Sequence, residues 1–339
     1  MSTDASSSGG VPGGPVPTGV GSLPGVDPAE AARVVAGELE ELPHLPELPA
    51  RGPGADIIGR TAGMLVDLHV DRTPSGWRLS AGGGADERRA KQWLADDIDA
   101  LSEALAGRVG PVKVALAGPW TMAASVALPR GGPALGDRGA VRDLTESLAE
   151  AVGGLVADVG RHVDGRVVVQ LDEPSLPAVL AGTVPTESGL GRLDAVDAGR
   201  AREMVTRVIE AARRADAGVV VHCCAADPPI RLLTQAGADG VSVDLTLVRG
   251  ATLDALAEAV EAGRTLLAGA VPTDGPYDGA AAAEVVRSAW SVLGLDRRLL
   301  RQVAVTPACG LAGRSWPQAR AAYRAVRDAA NRLGEYAQS

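Results

Sequence analysis

The residues best equipped for chemistry are the three cysteines of this chain and one of its four histidines. Val219-Val220-Val221-His222-Cys223-Cys224 is an apolar run that ends in imidazole and thiols. Val303-Ala304-Val305-Thr306-Pro307-Ala308-Cys309-Gly310 is a second run, ending in the third cysteine. Between them, Gly240-Val241-Ser242-Val243-Asp244 ends in a carboxylate. Thiolates with an imidazole suit zinc, and three protein ligands leave one position open for a substrate. Side chains alternate along an extended segment, so His222 and Cys224 share a face while Cys223 points away. His222, Cys224 and Cys309 are therefore the expected zinc ligands. Asp244 is expected either as a fourth ligand or as the group that orients His222. A zinc ion with an open position lowers the pKa of an incoming thiol, which then acts as a nucleophile toward an activated methyl group. Water activation for hydrolysis is the competing chemistry.

Other polar residues also fall at the ends of apolar runs. Asp172-Glu173-Pro174 follows Val167–Leu171 and could anchor a substrate ammonium, which makes Asp172 and Glu173 the expected catalytic pair. Ser22, in a glycine-flanked loop, could hold a substrate carboxylate, and Trp120 follows Gly118-Pro119 at another run's end. His44, His69 and His162 have no recognisable partners, and His222 itself could be a core histidine with a satisfied hydrogen bond.

The elements that would position these groups alternate regularly. Candidate strands are Thr18–Leu23, Asp56–Leu65 (weak), Val112–Ala117, Val167–Leu171, Gly218–Val221, Val241–Val243, Leu266–Ala270 and Val303–Val305. Candidate helices are Pro28–Leu42, Glu87–Ala106, Ala140–Val163, Asp197–Ala215, Pro229–Ala236, Leu253–Ala262, Ala280–Leu293 and Trp316–Leu333. Continuous apolar strands read as parallel strands covered on both sides, and about eight strand–helix units favour a closed (β/α)8 TIM barrel of the α/β class. In such a barrel the strand ends share one mouth. The expected division is a disordered Ser/Gly/Pro-rich segment over 1–16 and a single barrel over 17–335. Pro43–Ala85, rich in Pro and Gly, reads as an insertion or a small hairpin.

Composition narrows the class. A net charge of −9 argues against a nucleic-acid surface. Three cysteines, two of them adjacent, make no disulfide framework and fit a reducing cytoplasm. No uncharged apolar stretch of about 18 residues is present, so no membrane span is expected. No basic segment followed by an apolar one opens the chain, so no signal peptide is expected. With no Phe, the core must be built from Ala, Val and Leu. Lysine occurs only at Lys91 and Lys113, arginine serving elsewhere.

Several motifs together resemble one family. Thr18-Gly19-Val20-Gly21-Ser22-Leu23-Pro24 is similar to the opening of the catalytic barrel of cobalamin-independent methionine synthase. Val168-Val169-Gln170-Leu171-Asp172-Glu173-Pro174, Val221-His222-Cys223-Cys224 and Thr306-Pro307-Ala308-Cys309-Gly310-Leu311 resemble its Asp-Glu-Pro and two zinc segments. The order and spacing agree from Thr18 to about Arg314. At superfamily level the set also resembles uroporphyrinogen decarboxylase and the methylcorrinoid:thiol methyltransferases. The resemblance implies a zinc-dependent thiol S-methyltransferase. Zinc would rest on His222, Cys224 and Cys309, and homocysteine would be held by Asp172 at its amino group and Ser22 at its carboxylate.

The departures shape further expectations. Asp244 stands where the family has a zinc-ligating glutamate. No second acidic anchor is recognisable around Gly59–Leu68, and no histidine follows the seventh strand at Gly269-Ala270-Val271-Pro272-Thr273. The chain has room for one barrel where the full-length enzyme has two. The methyl donor is therefore either methyl-tetrahydrofolate or methylcobalamin, the latter on a corrinoid protein partner. The alternatives are a corrinoid-dependent methyltransferase for another thiol, a metal-free decarboxylase, and a non-catalytic zinc-binding barrel.

Overall fold

The computed structural model describes residues 14–339. In chain order the elements are β1 Val16–Pro17, α1 Pro28–Glu38, α2 Ile57–Met64, β2 His69–Thr73, β3 Gly76–Ser80, α3 Ala85–Ala104, β4 Val112–Ala117, α4 Pro119–Ser125, β5 Val126–Ala127, α5 Arg138–Gly160, β6 Val167–Asp172, α6 Leu176–Ala181, α7 Ala198–Arg214, β7 Gly218–Cys223, α8 Ile230–Gln235, β8 Gly240–Asp244, α9 Gly250–Glu261, β9 Thr265–Val271, α10 Gly279–Leu293, β10 Val303–Pro307 and α11 Trp316–Gln338.

Seven strands make one curled parallel sheet in the order β1-β10-β9-β8-β7-β6-β4. The space between β4 and β1 is filled by the irregular segment 43–48. Leu45 N donates to Lys113 O at 2.8 Å and Lys113 N to Pro43 O at 2.9 Å on one side. Glu47 N donates to Gly21 O at 3.2 Å and Leu23 N to Glu47 O at 2.9 Å on the other. Pro43, Pro46 and Pro49 have no amide hydrogen, so this stave pairs only through isolated parallel bridges, His44 with Lys113 and Ser22 with Glu47. The expected (β/α)8 architecture is present, with its second stave hidden in a proline-rich stretch.

Three local expectations change. The weak strand expected over Asp56–Leu65 is α2, and its start is set by Asp56, whose carboxylate accepts from Ile58 N at 3.1 Å and Gly59 N at 2.9 Å. The strand expected over Thr18–Leu23 is not regular there; the regular pairing ends just before it, at Val16–Pro17. Beyond that it continues as single contacts, with Thr18 N donating to Val305 O at 3.0 Å. Of the segment expected to lack structure, residues 1–13 lie outside the described residues, while Gly14 N already donates to Arg301 O at 2.7 Å. The hairpin expected within 43–85 is β2–β3, to which β5 adds in parallel.

The core has two parts because strand side chains alternate. Outward-facing Val169, Leu171, Val219, Val221, Val241 and Val243 pack with the apolar stripes of the helices. Inward-facing Val16, Leu42, Val168, Val220, Leu267 and Ala304 form a separate small cluster that plugs the base of the barrel. Next to this cluster in the lumen stand Lys113 and Ser242, from β4 and β8, and Gln170 and Thr306, two residues beyond Val168 and Ala304 on the same strands, all buried. The lumen thus changes from apolar to polar toward the mouth.

His44, on the irregular stave, is a core residue. Its Nδ1 faces Leu45 O at 3.3 Å, and its Nε2 accepts from the Tyr323 hydroxyl at 2.8 Å. Burial, with Lys113 adding to it, pushes its pKa down to about 3, so it stays neutral. Gly19 passes so close that a Cβ there would collide with the His44 ring and the Tyr323 hydroxyl. Tyr323→Phe removes the donor to His44 Nε2 and leaves a buried acceptor unpaired. The expected loss is about 1–3 kcal/mol of unfolding free energy, read from urea denaturation.

Candidate active site

The parallel register sets the mouth. Asp172 at the end of β6 lies beside His222 on β7, and His222 lies beside Ser242 on β8. From the far side, β10 ends in the loop that carries Cys309. The ligand atoms of His222, Cys224 and Cys309 all lie within 4.8 Å of one another. The Sγ atoms of Cys224 and Cys309 are 3.4 Å apart. His222 is buried, its Nδ1 is 2.8 Å from Ser242 Oγ, and its Nε2 has no hydrogen-bond partner. When Nδ1–H donates to Ser242, Nε2 keeps a lone pair aimed at the thiols. A buried ring nitrogen without a partner, next to two thiols, fits a soft divalent cation such as zinc. The Cys224 thiol, and then His222, hold the Cys309 thiol down to about 4, whereas Cys224 is pushed up by the same pairing. One of the two sulfurs is thus poised as a thiolate. Cys309 is exposed and Cys224 half-buried, so the group opens to the mouth.

Cys223 faces outward, as alternation requires, and burial raises its thiol to about 12. Asp244 stays outside the His–Cys–Cys group. Its Oδ1 accepts from Thr246 N at 2.9 Å and Thr246 Oγ1 at 2.6 Å, so it closes the turn after β8. The orienting contact to His222 comes instead from Ser242.

The carboxylates separate by face. Asp172 points into the lumen, where it is buried and accepts from Gln170 Nε2 at 2.7 Å. Burial raises its pKa, and His222, Gln170 and Lys113 oppose that rise. Glu173 points the other way, and its expected catalytic role finds no support in the geometry. Its Oε1 accepts from Trp120 N at 2.9 Å, and its Oε2 accepts from Thr121 N at 2.8 Å and Thr121 Oγ1 at 2.9 Å. Both oxygens are therefore spent on the first turn of α4. Trp120 is likewise not at the mouth. Its ring is fully buried against α7, and its Nε1 donates to Ala201 O at 2.9 Å. Ser22 does reach the rim, its hydroxyl lying directly over Gly310, next to Cys309.

One carboxylate escaped the sequence reading. Glu47, at the end of the irregular stave, is buried, and burial pushes it up to about 7. Asp172 raises it further, while Arg60 and Lys113 pull it down. Glu47 and Asp172 therefore sense each other across the lumen. Among the described residues, no acidic group from Gly59–Leu68 accompanies Asp172; the buried carboxylate of Glu47 lies twelve or more positions earlier, in Leu45-Pro46-Glu47-Leu48-Pro49, where no periodicity marks a strand. His69 and His162 lie at the surface, His69 Nδ1 at 2.8 Å from Glu87 Oε2 and His162 Nδ1 at 2.8 Å from Asp158 O.

A family model described as the catalytic domain of cobalamin-independent synthase matches residues 15–332. The chain belongs to that family. Among solved structures it is similar to a B12-independent methionine synthase from Shewanella sp. W3-18-1 in complex with selenomethionine, at 13% identity and a TM-score of 0.58. That alignment covers 96% of this chain and 98% of the other. It is also similar to a putative vitamin-B12 independent methionine synthase from Listeria monocytogenes, at 15% identity and a TM-score of 0.59, covering 93% and 96%. Comparison with proteins of curated function returns no match. Both solved chains are spanned almost end to end, so a single barrel of this length is a form shared with them. Family membership makes this chain a methionine synthase-like enzyme and, of the two donors left open by the sequence, speaks against methylcobalamin and its corrinoid protein. Among the described residues, no helix is long and apolar enough to cross a membrane.

Two outcomes test this geometry. Ser242→Ala frees His222 Nδ1 and is expected to weaken zinc affinity about 10–100-fold, measured by competition with a chelating dye. Glu173→Gln is expected to lower stability by about 1–3 kcal/mol through lost contacts to α4, with zinc content unchanged by elemental analysis.

Proposed function

We propose that this enzyme transfers a methyl group from a methyl-tetrahydrofolate donor to the thiol of homocysteine, giving methionine, with zinc held by His222, Cys224 and Cys309. The observation that carries the reading is one mouth that brings together an imidazole, two thiols and two buried carboxylates, Asp172 beside His222 and Glu47 on the irregular stave. Bound there, zinc supplies a thiol pKa low enough for a thiolate at neutral pH. The exposed Cys309 and half-buried Cys224 favour an open catalytic site over a closed structural one.

The chain's own residues would do the rest. Asp172 and Glu47 would bind the substrate ammonium, which relieves their mutual repulsion and the cost of their burial. Ser22 Oγ, beside Cys309, would donate to the substrate carboxylate. With the amino-acid end fixed, the sulfur faces the donor, and a positioned pair of reactants gains the large rate advantage of intramolecular reactions. The new S–C bond forms as the methyl–nitrogen bond of the donor breaks, and the released nitrogen takes a proton. Ser242, holding His222, keeps the imidazole directed at the same place throughout.

Methionine formation from homocysteine with methyl-tetrahydrofolate, and none with methylcobalamin, is the expected assay result. Cys224→Ser and Cys309→Ser are each expected to lose zinc and reduce turnover to background. Full zinc and full activity in both variants would refute the ligand assignment.

A further inference from the structure

One buried group remains without a role in this scheme. Lys113 is fully buried, near the start of β4, facing the lumen. Burying an ammonium costs several kcal/mol, and this chain uses arginine at every other basic position except Lys91. What Lys113 touches is specific. Its Nζ donates to Val20 O at 2.9 Å and to Gln170 Oε1 at 2.5 Å. Gln170 in turn uses its amide nitrogen twice, donating to the same Val20 O at 3.0 Å and to Asp172 Oδ1 at 2.7 Å. Val20 lies two residues before Ser22, on a segment held by single backbone contacts rather than by regular strand pairing. Gln170 lies two residues before Asp172 on the same strand face.

The geometry points to Lys113 as a positioning residue that ties the carboxylate-binding loop of Ser22 to the ammonium-binding Asp172 and so sets the spacing at which an α-amino acid is recognised. The inference rests on the amino-acid-thiol reading above and deepens it. Three features of lysine fit the task. A compact ammonium offers three donors in different directions and so serves acceptors on two separate staves, Val20 O and Gln170 Oε1, where a guanidinium would present a rigid planar fork. Its positive charge faces the same buried lumen as the carboxylates Asp172 and Glu47 and is favourable to both. Its donation to Gln170 Oε1 also settles which end of that amide faces Asp172, so Asp172 receives an N–H and not a repelling oxygen. A purely structural lysine would support the barrel equally for any thiol. A positioning lysine matters only to substrates that carry both an ammonium and a carboxylate.

That difference supplies the test. Zinc-loaded wild-type protein, Lys113→Met and Gln170→Leu are titrated calorimetrically with homocysteine and with 1-propanethiol, which lacks both end groups. Gln170→Leu keeps the buried charge and breaks only the relay, so it decides the matter should Lys113→Met fail to fold. In the wild type, homocysteine is expected to bind tighter than propanethiol. In both variants homocysteine is expected to weaken at least tenfold, with propanethiol unchanged and zinc retained. Equal loss for both thiols, or no loss for either, would overturn the positioning role. A wild type that shows no preference for homocysteine would instead overturn the amino-acid-thiol reading itself, and the inference with it.

Discussion

Neighbouring strands of this barrel end level with one another, and that register decides what can meet at the mouth. Ala117 aligns with Asp172, Asp172 with His222, and His222 with Ser242. A shift of one residue in β7 would send His222 outward and bring Cys223 in, because side chains alternate strictly. The outward faces prevent it: Val219, Val221 and Cys223 are fully buried beneath the helices. The packing of the outer core therefore guarantees the placement of the inner chemistry. The same alternation separates Asp172 from Glu173, giving one carboxylate to the lumen and the other to the start of α4.

The lumen carries an unusual load of charge for so enclosed a space. Lys113, Glu47, Asp172 and His222 are all buried. Desolvation drives each of the two carboxylates up and the lysine down; Arg60 and Lys113 oppose it at Glu47, His222, Gln170 and Lys113 oppose it at Asp172, and the two carboxylates oppose it at Lys113. Such an arrangement is costly for stability and suits a ligand that brings its own opposite charge. The apolar plug of Val16, Leu42, Val168, Val220, Leu267 and Ala304 beneath it closes the base of the barrel, so the charged layer is reached from the mouth.

Much of this was legible in the residues. Continuous Val-rich runs marked the buried parallel strands, and their terminal His, Cys and Asp residues marked the mouth. The irregular stave 43–48 was not legible, because its prolines remove the pattern that identifies a strand, and Glu47 was missed with it. Trp120 and Glu173 followed strand ends yet turned outward, because Pro119 opens a helix at once and Glu173 is the residue of the Asp-Glu pair on the outer face. Asp244 looked like a ligand from sequence, but Thr246, two residues on, offers it a nearer partner. Ser242 carried no signal beyond its alternation with Asp244, and only the pairing of β7 with β8 showed it beside His222.

The central claim is that His222, Cys224 and Cys309 hold a zinc that accepts the substrate thiol. Zinc-edge X-ray absorption on the purified protein, with and without homocysteine, tests it most directly. The account predicts about one zinc per chain with one nitrogen and two sulfur ligands from the protein, gaining a third sulfur when homocysteine is added. A protein that binds no zinc, or a zinc whose coordination ignores homocysteine, would contradict it.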